Sequence, residues 1–118
     1  MAFDECSDPN DHVYSKIAME RTHRWAERSV KVKTRPDQAL FGIVQGGVQA
    51  DLRAQSAQFI ASLDMPGIAI GGLSVGETKE EMHVTLEVVT PRAPSFRIFA
   101  RGTPQPDERF FCPRGASD

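Results

Sequence analysis

Cysteine is nearly absent. The 118-residue chain carries two, Cys6 and Cys112, far apart and in neither a C-x-x-C pair nor a zinc-ligand spacing. They read as two reduced thiols, and no metal site is predicted. Histidine is also scarce, with three in the chain and none in the glycine turns described below, so a Ser/His/Asp hydrolytic arrangement is not expected. No apolar run approaches the length of a membrane-spanning helix. The opening residues are not a basic and then apolar leader. Both observations predict a cytoplasmic protein with no membrane partner. Fourteen basic residues stand against sixteen acidic ones, a formal charge of −2, so the whole chain lacks the basic excess of a nucleic-acid-binding domain. The basic residues do gather locally. Arg21, Arg24, Arg28, Lys31, Lys33 and Arg35 form one group, and Arg92, Arg97, Arg101, Arg109 and Arg114 another. The first reads foremost as a solvated helix face, with a phosphate-contacting face as its rival.

What the chain does have is glycine at the ends of apolar runs. Gly67-Ile68-Ala69-Ile70 leads into Gly71-Gly72-Leu73-Ser74-Val75-Gly76-Glu77, and Leu40-Phe41-Gly42-Ile43-Val44 leads into Gln45-Gly46-Gly47. Short apolar runs of this kind read as buried strands, and the glycines let the backbone turn and approach a ligand closely. Met1-Ala2-Phe3, running into Asp4-Glu5-Cys6, is a candidate third strand end.

Between these runs the pattern is helical. Tyr14, Ile17, Ala18, Thr22, Trp25, Ala26, Ser29 and Val30 recur at helical spacing and predict a helix over 14–32 with that face buried. A second helix is expected over 49–62, with Leu52, Ser56, Phe59, Ile60 and Leu63 inward. Thr78 and Glu81 have capping-box spacing and open a third helix, whose stripe is Met82, Leu86 and Val89 and which Pro91 stops. Alternating strands and helices predict an α/β fold with a parallel sheet and crossover helices. The repeat of about 30 residues is close to one eighth of a ~250-residue (β/α)8 barrel. A doubly wound sheet would give the same local pattern. Prolines at 91, 94, 104, 106 and 113 interrupt the remainder, so 92–118 is expected to be an irregular tail. Ser95 to Ala100 holds the apolar residues of one short strand.

In α/β sheets the site lies at the carboxyl ends of the strands. The groups available there are Asp4, Cys6, Gln45, the glycines at 46, 47, 71 and 72, Leu73 and Glu77. Carboxylates accept, whereas an amide nitrogen and glycine N–H groups donate. Such a set suits a planar ligand with donors and an acceptor along one edge, of which guanine is an example. Phosphate binding by the glycine turns is the main rival.

Four motifs, in order, resemble the bacterial tRNA-guanine transglycosylase (queuine tRNA-ribosyltransferase) family. They are Met1-Ala2-Phe3-Asp4-Glu5-Cys6, Thr22-His23-Arg24-Trp25, Phe41 to Gly47 and Gly67 to Glu77. The similarity covers 1–91. It implies a partial (β/α)8 TIM barrel of about three βα units, and an activity that exchanges the wobble guanine of tRNA for a 7-deazaguanine such as preQ1. By that resemblance Asp4 holds the donor edge of the base. Gln45 and the Gly72 N–H meet its oxygen, with Gly71 beside them. The Leu73 carbonyl meets the aminomethyl group of preQ1 with Glu77 behind it, and Cys6 lies beside the base. The plainer readings are Asp4 as a helix cap, Gln45 as a turn residue and the glycines as packing devices.

The same resemblance implies an internal fragment. The family nucleophile would lie downstream, as would the zinc ligands, and a second aspartate upstream, so no catalytic residue and no metal ligand is assigned in this chain. The partners implied are tRNA and guanine or preQ1, with full-length relatives homodimeric. Arg97 to Pro104 is faintly similar to the family's next strand, one residue short. A fragment of this kind is expected to be inactive alone. The alternative is a non-catalytic base- or tRNA-binding subunit or an inactive truncated product.

Overall fold

The computed structural model describes residues 1–92 and 98–100. Its elements alternate: α1 (His12–Val32), β1 (Phe41–Val44), α2 (Ala50–Ser62), β2 (Gly67–Ile70), α3 (Lys79–Val89), a 3-10 turn over Thr90–Arg92, and β3 (Ile98–Ala100). The three strands form one parallel sheet in the order β1-β2-β3. Phe41 pairs with Gly67 and Val44 with Ile70, while Ile68 pairs with Ile98. Successive strands are therefore neighbours, each joined to the next by a crossover helix, as expected for parallel β-α-β units. All four residues of β2 are buried, which is why it reads as an unbroken apolar run rather than an alternating one. β3 falls inside the span expected to be an irregular tail, at the one segment there with strand-like residues.

The helix ends follow local chemistry. Asp11 caps α1 by accepting from the Tyr14 N–H at 3.0 Å, so α1 starts two residues before its apolar pattern does. The capping box of α3 is present in both directions: Thr78 accepts from the Glu81 N–H, and the Glu81 carboxylate accepts from the Thr78 N–H. Such a cap is worth about 1 kcal/mol. The core lies between the sheet and the helices, where Val44, Ala57, Ile60, Ile68, Ile70 and Val89 are fully or nearly fully buried and Met82 and Leu86 pack against them. Each large aliphatic side chain there contributes about 1.5–3 kcal/mol relative to exposure. Helix α2 is central, touching β1, α1 and α3.

Two expectations are corrected. The buried face of α1 is Ser15, Ala18, Met19, Thr22, His23 and Ala26. Tyr14 and Ile17, expected inward, are 42% and 43% exposed, and Val30 is also exposed. The polar members of that face are satisfied by hydrogen bonds: Ser15 to the Asp8 carbonyl, Thr22 from the Glu5 N–H and His23 with Ser56. The Tyr14 hydroxyl instead donates to the Glu5 carboxylate at the surface. Second, Met1–Phe3 is not a strand. The segment makes one backbone bond to the sheet, from the Ala2 N–H to the Phe41 carbonyl at 2.8 Å. That bond lies on the edge of β1 away from β2, where an additional strand would pair.

Candidate functional site

The turn after β1 is buried and tied at several points. Gln45 is buried, and its backbone N–H donates to Ser56 Oγ on α2 at 3.1 Å. Gly47 takes φ +59°, and a Cβ there would sit 2.7 Å from the Pro9 carbonyl oxygen and 2.8 Å from Ser15 Oγ. Only glycine fits both that backbone and that space. The Val48 N–H then donates to the Pro9 carbonyl at 3.2 Å, locking the turn to the segment that leads into α1.

The turn after β2 lies directly against it. The Gly71 N–H donates to the Val44 carbonyl at 3.0 Å, one step beyond the strand pairing. A Cβ on Gly71 would lie 2.7 Å from Gln45 Nε2 and 3.3 Å from Asp4 Oδ2. One on Gly72, where φ is +67°, would lie 2.5 Å from Gln45 Oε1. These two glycines therefore form the surface on which the Gln45 amide rests.

Asp4 reaches the same place from the N-terminal segment. The Ala2–Phe41 bond holds it on one side, and on the other the Glu5 N–H donates to Thr22 Oγ1 at 3.0 Å. Gln45 Nε2 donates to Asp4 Oδ2 at 2.7 Å across 41 residues of sequence. Asp4 is not a helix cap; that role on α1 belongs to Asp11. Asp4, Gln45, Gly71 and Gly72 thus form one contiguous group with a carboxylate, a primary amide and a glycine backbone side by side.

Leu73 buries its side chain in the core cluster. The next peptide is set by Glu77, whose carboxylate accepts from the Ser74 N–H and from the Val75 N–H, the latter at 3.0 Å. In a trans peptide the N–H and C=O point in opposite directions, so the Leu73 carbonyl is aimed away from Glu77. Cys6 is exposed. Its thiol pKa is nevertheless pushed up, first by partial desolvation of the sulfur and then by the Asp4 charge, against a smaller opposing pull from Arg53. Cys6 stays a thiol at neutral pH, unsuited to nucleophilic attack.

Three residues of the site were not marked by the sequence pattern as functional. Arg53 is 0% exposed, and its guanidinium donates to four carbonyls. Nε meets Gly47 at 2.6 Å, Nη1 meets Val44 at 3.1 Å and Gly71 at 2.8 Å, and Nη2 meets Gly72 at 3.3 Å. Burial lowers its pKa to about 10, with Glu77 opposing the shift, so it remains a cation at neutral pH. Ser56 was expected on the buried face of α2, but not as a bridge. Its Oγ joins the Gln45 N–H to His23 Nε2, the latter at 2.9 Å. His23 stacks on Phe59 with ring centroids 4.3 Å apart, and burial lowers its pKa to about 4, so it is neutral. The available signal was helical spacing: Arg53, Ser56, Ala57 and Ile60 share one face.

Among the described residues no three His, Cys, Asp or Glu side chains gather as a metal site would, and no helix is long and apolar enough to cross a membrane.

Comparison with known proteins agrees with the motif order. The family model described as queuine tRNA-ribosyltransferase matches residues 1–105, extending past Pro91 where the resemblance was expected to stop. A queuine tRNA-ribosyltransferase of Herpetosiphon aurantiacus is 66% identical over 95 residues, covering 80% of this chain and 24% of the relative. One from Listeria monocytogenes is 54% identical over 110 residues, 91% of this chain and 29% of the relative. One from Symbiobacterium thermophilum is 56% identical over 110 residues, with 89% and 28% covered. The chain spans about a quarter of the length of the curated relatives it matches.

Proposed function

The chain belongs to the queuine tRNA-ribosyltransferase family, and we propose that it supplies the base-recognition wall of a tRNA-guanine transglycosylase built on a (β/α)8 barrel. The observation that carries this reading is the 2.7 Å bond between Gln45 and Asp4, set on the Gly71–Gly72 backbone. In the free site the amide donor and the carboxylate acceptor satisfy each other. A guanine-type base offers both complements along one edge. Its N1–H and 2-amino group donate to the Asp4 carboxylate, and its O6 accepts from Gln45 Nε2 and the Gly72 N–H. Insertion exchanges one internal bond for several to the ligand, so no buried polar group is left unmatched. A base lifted out of the anticodon stack is read in this way, and tRNA is accordingly the macromolecular substrate.

For preQ1 the Leu73 carbonyl accepts from the aminomethyl group. Glu77 acts one step removed, holding the Ser74 N–H so that this carbonyl faces the other way. None of these groups is assigned as the nucleophile: with base bound Asp4 is committed to its donor edge, and the Cys6 thiol is held protonated. Recognition and bond cleavage are therefore separate tasks, and this segment performs the first.

The test places residues 1–92 in the matched span of the Herpetosiphon aurantiacus relative and follows incorporation of labelled guanine into tRNA. The chimera is expected to exchange base, and Asp4→Ala to raise the KM for guanine about 10- to 100-fold, the value of a charge-assisted hydrogen bond. An unchanged KM in a folded Asp4→Ala chimera would refute the assignment.

A further inference from the structure

Arg53 is a buried cation, and nothing in the base-recognition reading uses it. Its burial is costly unless every donor finds a partner. Four hydrogen bonds meet that demand, and all four go to backbone carbonyls, those of Val44 at the end of β1 and of Gly47, Gly71 and Gly72 in the two turns, rather than to a carboxylate. Two of those carbonyls are consecutive, on Gly71 and Gly72. Each carbonyl shares a planar peptide with the N–H of the following residue, which points the opposite way. Drawing the Gly71 and Gly72 carbonyls onto the guanidinium therefore turns the N–H groups of Gly72 and Leu73 away from Arg53. Gly72, at φ +67°, is the residue that permits two successive carbonyls to converge in this manner. The Val44 peptide follows the same logic: its carbonyl meets Arg53, and the opposed Gln45 N–H meets Ser56.

Resting on the base-recognition reading, we infer that Arg53 is a positioning residue: its guanidinium joins the turn after β1 to the turn after β2 and aims the Gly72 N–H at the base oxygen. The planar fork is essential to this role. Its donors reach carbonyls on both turns at once, whereas a lysine ammonium in the same space is a point donor that cannot span them. Glu77, which fixes the following peptide from the exposed side, lies close enough to stabilise the Arg53 cation. The two charges thus hold consecutive stretches of one turn, Arg53 the Gly71 and Gly72 carbonyls and Glu77 the Ser74 and Val75 N–H groups.

The experiment uses the 15N-labelled 118-residue chain, titrated with preQ1, alongside Arg53→Lys, Arg53→Gln and Asp4→Ala. In Arg53→Lys, helix amides are expected to keep their positions while Gly72 and Leu73 amide exchange accelerates. PreQ1 affinity is expected to fall about tenfold, the loss for one neutral hydrogen bond left unmade. If Arg53→Lys binds preQ1 like the parent while Asp4→Ala does not, the Arg53 inference is overturned and the base reading stands. If the parent binds no preQ1, the base reading fails and Gly72 and Leu73 exchange decides alone; unchanged exchange overturns the positioning role. If both Arg53 variants unfold, the parent still decides. Slowly exchanging Arg53 Nη–H signals support the joint between the turns, and Nη–H protons in free exchange with water overturn it.

Discussion

The two glycine turns sit side by side but are held in different ways. The turn after β1, Gln45-Gly46-Gly47, is wholly buried and tied to Pro9, Ser56 and Arg53. The turn after β2 begins buried at Gly71 and then emerges. Ser74, Val75 and Gly76 are exposed, and among the described residues it is Glu77 that accepts from the Ser74 and Val75 N–H groups. One is a wall and the other a lip anchored at its base. On the proposed function, a site that accepts guanine, releases it and accepts a related base needs a fixed edge against which both are read. It also needs a border that can accommodate their difference. The contrast between many buried partners and a single half-buried carboxylate on an exposed loop is a division of that kind, and it can be broken at either end.

The largest effect is expected from Arg53→Met, which removes the donor shared by both turns. Up to four carbonyls lose a buried partner at about 1–3 kcal/mol each, so urea unfolding is expected to show a loss above about 3 kcal/mol. A loss under about 1 kcal/mol would mean that the turns are held by other means. Next comes a glycine pair. Gly47→Ala meets both a positive φ and the Pro9 carbonyl and is expected to cost about 2–4 kcal/mol. Gly76→Ala, at φ +124° with nothing within 4 Å, meets only backbone strain of about 1–2 kcal/mol. Equal costs in thermal unfolding would erase the distinction between wall and lip.

A third effect depends on pH. His23 titrates near 4 when folded and near 6.5 when unfolded, because burial disfavours its charged form. Between those values the unfolded chain binds more protons, so stability rises with pH across the window and is lost as pH falls from about 6.5 toward 4. After allowance for partial solvent screening the loss is on the order of 2 kcal/mol. His23→Gln is expected to flatten that slope in urea titrations between pH 4 and 7, and an unaltered slope would assign it elsewhere. The smallest effect is expected from Glu77→Gln, under about 1 kcal/mol, because the carboxylate acts at an exposed loop. Its signature is faster hydrogen exchange at Ser74 and Val75 with Gln45 and Gly47 unmoved.

Most of this fold was legible because its signals are local. β1 and β2 are short apolar runs ending in glycine, and α3 carries its capping box in Thr78 and Glu81. Asp4, Gln45, Gly71 and Gly72 were legible as strand-end chemistry that the fold brings together, and the family resemblance supplied their proposed roles. Less legible were features that depend on partners distant in sequence. Arg53 lies on the buried face of α2, but a long cation at such a position ordinarily reads as solvent-facing, and its four acceptors are carbonyls with no sequence signature. Tyr14 and Ile17 were expected inward on hydrophobicity, yet the face turned inward is that of Ser15, Ala18, Met19 and Thr22, whose hydroxyls find partners distant in sequence. Met1–Phe3 has strand-like residues but makes a single bond to β1, and the pairing of β3 is a tertiary choice that its few apolar residues only hint at.

The central claim, that Asp4, Gln45 and Gly72 read a guanine-type base, is tested most directly by amide and side-chain shift mapping. The 118-residue chain is titrated with preQ1 and, separately, with inorganic phosphate. The account predicts that preQ1 shifts the Gln45 side-chain amide and the Gly72 N–H while phosphate leaves both in place. Saturable phosphate shifts at Gly72, or preQ1 shifts confined to other residues, would contradict it.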